Sequence, residues 1–158
     1  MKKILCVPVI LFSSLAAAAP ATSYVMDLKI ANQLANNVMQ ACTDMAKPAA
    51  VVILDQGGNV LASQRHENVG IHNLIAAERK AFTAYSTKIT TLQFMRNAQK
   101  NSDSQNLTSL PELLLLGGGV PVFYKHQLLG SVGVADAGGS LQDDQCAQKG
   151  IENTLHSI

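Results

Sequence analysis

Residues 113–136, LLLLGGGVPVFYKHQLLGSVGVAD, constrain the fold of this chain more tightly than any other stretch. An apolar run meets three consecutive glycines, then a Val-Pro, a short polar turn and a second apolar run. Glycine takes up backbone angles that a side chain would block. Pro121 fixes φ and lacks an N–H, so its strand should lie at a sheet edge or begin there. Residues 120–124 and 128–135 flank Lys125-His126-Gln127 and read as a hairpin. Gly130 and Gly133 in the second strand call for close approach by another backbone or by a flat ligand. A phosphate loop fits poorly. No Lys-Ser or Lys-Thr follows the glycines, and the segments on both sides read as strands rather than as a strand opening into a helix.

The rest of the chain supplies partners for that hairpin. Residues 27–45 place apolar side chains at helical spacing, from Leu28 through Ala31, Leu34, Ala35, Val38 and Cys42 to Met45, and Lys47-Pro48 ends the run. Residues 49–54 and 60–64 flank Asp55-Gln56-Gly57-Gly58-Asn59 and read as a second antiparallel hairpin. Helices are expected over residues 71–86 and 90–99, followed by a polar loop over 101–111. That loop contains a glycosylation sequon, Asn106-Leu107-Thr108, which we read as a chance match. Ser140 to Asp143 resembles a capping box opening a last helix with Ala147, Ile151 and Leu155. The order is helix, hairpin, two helices, hairpin, helix. It predicts an α+β fold with one antiparallel sheet flanked by helices.

The first residues have another purpose. Lys2 and Lys3 precede an apolar run over residues 4–15, and small residues follow at 16–21. This is the pattern of an export signal, residues 1–19, with the cut between 18 and 21 and a single domain over 22–158. The apolar run is short for a membrane span, so a periplasmic or secreted protein without stable membrane insertion is expected. Loss of Lys2 and Lys3 takes the formal charge from +1 to −1. Neither that balance nor an aromatic content of 4% without tryptophan suits a nucleic-acid partner. Cys42 and Cys146 are the cysteines left after the cut. Two thiols in an exported chain suggest one disulfide, joining the first helix to the last, with two separate buried thiols as the alternative.

No nucleophile–base arrangement stands out. Cys42 and Cys146 lie on apolar helix faces, and no G-x-S-x-G turn is present. His66 and His72 lack the cysteines or carboxylates that would complete a structural zinc site. A haem asks less of a chain: one axial ligand and an apolar slot. Four histidines are candidates: His66, His72, His126 and His156. His126 falls in a hairpin turn and His156 near the C-terminus, whereas His66 and His72 flank the start of the second helix. Lys80 and Thr83 share a turn of that helix. A solvated charge is the plain reading of Lys80, and contact with an acidic ligand group, such as a haem propionate, is the other.

Several segments together resemble one family. Residues 77–84, AERKAFTA, resemble the A-x-x-K-A-x-T-A helix of the GlcG/HbpS-like haem-binding family, which is related to the PduO C-terminal domain. Gly118-Gly119-Val120-Pro121 and then Gly130-Ser131-Val132-Gly133-Val134 resemble its GG-x-P and G-x-x-G-V segments. Asp144-Gln145-Cys146-Ala147 with Gly150 resembles its last helix. The resemblance runs from about Met26 to Leu155. It implies a profilin-like or PAS-like sheet domain that forms homo-oligomers and binds haem or, in some members, a corrinoid. Together with the export pattern, that resemblance implies an exported haem- or tetrapyrrole-binding protein engaged in haem sensing or handling. Candidate cofactor contacts are His66, His72, Lys80 and Thr83, with His72 as the iron ligand. The alternatives are a haem-degrading or peroxidase-like enzyme, and an oligomeric accessory subunit without a ligand. Residues 65–68, RHEN, depart from the family's usual R-x-D-G-A.

Overall fold

The structure is a computed structural model and describes residues 22–157. The expected export signal lies outside the described residues. Helix α1 (Leu28–Asp44) begins where the Asp27 carboxylate accepts the Ile30 N–H at 2.7 Å. It buries the expected stripe of Ala31, Leu34, Ala35, Val38, Ala41 and Cys42. Strands β1 (Ala50–Leu54) and β2 (Val60–Arg65) form the first hairpin. Its turn is organised by Asp55, whose carboxylate accepts the N–H groups of Gly57 and Asn59. Those bonds hold the Asp55 carboxyl below its ordinary range. Helices α2 (His72–Thr87), α3 (Thr91–Gln99) and the single turn α4 (Ser102–Gln105) follow, with a 3₁₀ turn at Asn106–Ser109. Strands β3 (Gly119–Tyr124) and β4 (Gln127–Ala135) make the second hairpin, and α5 (Ser140–Leu155) closes the domain.

The two hairpins join through β1 and β4 into one four-stranded antiparallel sheet of order β2-β1-β4-β3. The central strand β1 is buried along its whole length, which explains its unbroken AVVIL sequence. Helices α1 and α5 cover one face, over Val51, Ile53, Val122, Val132 and Val134. Helix α2 covers the other, over Ala50, Val52, Leu54 and Ala135. The α1–α5 contact is close because α5 presents Gly150 to Val38, where a Cβ would fall 2.2 Å from the valine Cγ2. The same pair of helices brings Cys42 and Cys146 together as a disulfide, with Cα atoms 5.1 Å apart.

Strand β3 is an edge, as Pro121 requires. Pro121 offers no N–H there, and Thr91 Oγ1 accepts the N–H of Gly119, so the edge gives another strand little to pair with. Four local expectations change. Residues 113–116 form no strand; they are a loop fixed by α2 side chains. The β3–β4 turn has two residues, Lys125 and His126, with φ of 45° and 65°, the left-handed pair of a tight hairpin turn. The loop expected over 101–111 contains the short α4 and 3₁₀ turns. The capping box does not form, because Ser140 Oγ accepts the N–H of Gly117 and Asp143 turns to other partners.

Candidate functional site

Gly119 and Gly133 explain how α2 is seated. A Cβ on Gly119 would lie 2.1 Å from the Lys80 carbonyl oxygen, and one on Gly118, whose φ is +119°, 2.5 Å from the Val134 carbonyl oxygen. In β4, a Cβ on Gly133 would lie 1.9 Å from the Ala77 carbonyl oxygen. The close approach anticipated at Gly133 is therefore made by the backbone of α2.

At this junction Lys80 is buried. Its Nζ donates to the Val134 carbonyl at 2.9 Å and to Asp143 Oδ2 at 2.6 Å. The other oxygen of Asp143 accepts the Ala137 N–H at 2.8 Å. Burial pushes the Asp143 carboxyl up, and the Lys80 ammonium opposes that shift. Thr83 is also buried: its Oγ1 donates to the Arg79 carbonyl and accepts the Leu114 N–H at 2.9 Å. Arg79 Nη2 donates to the Leu113 carbonyl at 2.7 Å. The polar atoms of Lys80 and Thr83 thus face the interior, where they lock α2 to β4, α5 and the 113–116 loop.

The opposite face of α2 is exposed. Ile71, Ile75, Glu78 and Phe82 follow the spacing of one helix face. Ile71 is 76% exposed and Ile75 63%, the largest exposures of aliphatic side chains among the described residues. Beside them runs a groove of about 230 Å³, lined by Leu54, Gly58, Ile75, Glu78, Arg79, Phe82 and Glu112. Its apolar lining comes from Leu54, Ile75 and Phe82, and two carboxylates flank it.

The two candidate histidines stand apart in environment. Arg65 Nη1 donates to the carbonyls of His66, Glu67 and Val69, which curls the β2–α2 loop around the guanidinium. Within that loop His66 is partly buried, and its Nδ1 accepts the Asn68 N–H at 3.1 Å. A neutral imidazole with Nδ1 as acceptor carries its proton on Nε2, so ligation of iron through Nε2 would break this bond. His66 lines a different hollow, with Thr43, Lys47, Pro48 and Asn68. His72 is exposed at the start of α2. Its ring lies over Gly70, where a Cβ would meet His72 Cε1 at 2.7 Å, and it sits next to Ile71 and one turn before Ile75. Of the four expected contacts, then, His72 borders the exposed α2 face, His66 lies in a separate hollow, and Lys80 and Thr83 lie beneath the helix. Motif reading did not assign Ile71, Ile75, Glu78 or Glu112 to a site. The first three carry a signal in the sequence, an apolar and acidic stripe opposite the alanines of α2. Glu112 carries none, because only the folded loop brings it to the groove.

Comparison with known proteins identifies relatives of the domain as a whole. A family model described as "Haem degrading protein HbpS-like" matches residues 26–152. The chain is similar to HbpS of Streptomyces reticuli, solved as a double mutant, with 29% identity and a TM-score of 0.75 over 89% of this chain and 96% of that one. It is similar to the Klebsiella pneumoniae protein ORFY, with 25% identity and a TM-score of 0.76 over 90% of this chain and 99% of that one. A solved complex of PduOC with haem shares the fold, with 21% identity and a TM-score of 0.73 over 82% of this chain and 94% of that one. The α+β sheet domain, the glycines that admit α2 and the match across most of the chain lead to one conclusion: this protein belongs to the HbpS-like family.

Proposed function

We propose that the protein binds haem or a related tetrapyrrole along the outward face of α2, with His72 as the iron ligand. The observation that carries this reading is an exposed imidazole one helical turn before Ile75, the side chain that joins the exposed α2 face to the groove. The fit is that of an open site. Pockets that enclose a drug-sized ligand run to roughly 300–1,000 Å³, so a groove of about 230 Å³ takes one edge of the ring and leaves the rest on the Ile71–Ile75 surface. The family's description and the haem complex of PduOC support the ligand class. His66 is the weaker ligand because its Nδ1 already accepts the Asn68 N–H. Lys80 and Thr83 contribute indirectly, by fixing α2 and the loop that carries Glu112. Export through residues 1–19, a role in haem sensing or handling, and assembly into homo-oligomers complete the proposal. N-terminal sequencing of exported protein and light scattering test its first and last parts.

The direct test is titration of hemin into purified protein while following the Soret band. A shifted band with the wild type, weakened at least about tenfold in His72→Ala and retained in His66→Ala, is the expected result. An absent shift, or a His72→Ala variant that binds as the wild type does, removes the site. A cobalamin probe in the same assay tests the corrinoid alternative. Haem degradation is the second reading, favoured by the family's description. Protein-dependent bleaching of the Soret band after addition of ascorbate or peroxide supports it, and a stable spectrum removes it.

A further inference from the structure

We propose that the α2 groove is a binding site for a free α-amino acid with an apolar side chain. This does not rest on the haem reading, because His72, the iron ligand in that reading, is not part of the groove lining. Three kinds of surface meet in the groove. Leu54, Ile75 and Phe82 are apolar, Glu78 and Glu112 are acidic, and Arg79 is cationic. Arg79 is the least satisfied of these groups. A guanidinium carries five N–H donors. Its Nη2 donates to the Leu113 carbonyl at 2.7 Å, its Nη1 has no hydrogen bond among the described residues, and its Nε is buried without a partner. Glu78 and Glu112 do not pair with it, since the ion pairs among the described residues join other side chains. Partly buried and bound to one neutral carbonyl, the guanidinium keeps donors for a carboxylate.

The bond to Leu113 also draws its loop onto α2, which sets Glu112 beside the groove. A simple carboxylic acid would gain Arg79 and face two carboxylates. A simple amine would gain the carboxylates and face Arg79. A zwitterion matches both signs of charge at once, and its apolar side chain can lie against Leu54, Ile75 and Phe82. An α-amino acid carries its ammonium and its carboxylate on one carbon, whereas each end of a peptide carries only one of the two. Size agrees with this class. At about 230 Å³ the groove is smaller than the roughly 300–1,000 Å³ of pockets that enclose drug-sized ligands. Glu78 and Glu112 are both exposed, so their pull on an ammonium is partly screened and depends on salt.

The experiment is calorimetric titration at low salt with L-leucine and two analogues: isocaproate, which lacks the ammonium, and isoamylamine, which lacks the carboxylate. The wild type should bind leucine at least about threefold more tightly than either analogue. Arg79→Lys keeps the charge and loses the fork, and should weaken leucine by about tenfold. Glu78→Gln/Glu112→Gln should weaken leucine by about three- to tenfold and strengthen isocaproate. Both glutamates are exposed, so the double variant should unfold at the wild-type urea midpoint even where Arg79→Lys frees the loop at Leu113. A wild type that does not bind leucine, isocaproate that binds as tightly as leucine, or a folded double variant with unaltered leucine affinity overturns the proposal.

Discussion

Two adjacent aspartates at the start of α5 show how far a residue's role depends on partners distant in sequence. Asp143 has a protein partner on each oxygen: Lys80 on one and the Ala137 N–H on the other. Asp144 is equally buried, but only its Oδ2 is paired, with the Gln148 amide; its Oδ1 has no hydrogen-bond partner. Burial pushes the Asp144 carboxyl up, against the weaker pull of Gln148 and the exposed Arg96. The folded state therefore holds this proton more tightly than the unfolded state does. Stability falls as pH rises from about 3.8, the unfolded value, through the folded one. Asp144→Asn should be more stable than the wild type at pH 7, by about 1–3 kcal/mol for relief of a buried, underpaired carboxylate. The gain should disappear toward pH 3, where the wild-type carboxyl is protonated. Urea unfolding at both pH values measures this, and a variant less stable at pH 7 contradicts it. The sequence does not reveal this asymmetry. Asp143 and Asp144 both suit a helix N-terminus, and the partner that separates them, Lys80, lies 63 residues away from Asp143. For the same reason Lys80 reads as a solvated charge or a ligand contact until the fold is known.

At the scale of elements, local chemistry carried the reading well. The two hairpins follow from their turns, and α1 from its apolar stripe and the Lys47-Pro48 stop. What local chemistry does not contain is the pairing of β1 with β4, which merges the hairpins into one sheet. Residues 113–116 misled for a related reason. Four leucines in a row satisfy a strand pattern, yet Arg79 and Thr83 hold the backbone there as a loop. The cysteines were legible by number and placement, and the α1–α5 contact supplied what the sequence lacked. Their bond spans 104 residues and links the first and last helices. In the chain-entropy account, a loop of that length stabilises by about 4–5 kcal/mol. Cys42→Ala/Cys146→Ala should lower the urea midpoint by a corresponding amount, and the wild type in strong reductant should approach the same value. Equal midpoints for oxidised wild type and double variant would mean the bond contributes no net stability.

Across the whole molecule, the sheet is covered unequally. One face carries α1 and α5, tied by the disulfide and by Gly150. The other carries α2, whose outer surface stays open at Ile71 and Ile75. Residues 22–27 cross to the hairpin turns, where Gln127 bonds to Tyr24 and Thr22, and the rings of Tyr24 and Tyr124 meet edge to face at 5.0 Å. The turns over 102–109 bury no residue at all. Local opening free energies should follow this order, because protection tracks buried apolar contact and satisfied backbone. Amide hydrogen exchange followed by mass spectrometry should find β1 and β4 slowest and residues 102–109 fastest, with α2 between them. Hemin should then slow exchange at the start of α2 and in the β1–β2 turn, two of the segments that border the groove, and leave residues 102–109 unchanged. Protection by hemin confined to the α1–α5 face, or to the hollow beside His66, would place the ligand on the opposite side of the sheet or at the other histidine. The same labelling experiment therefore tests the stability gradient and the location of the site.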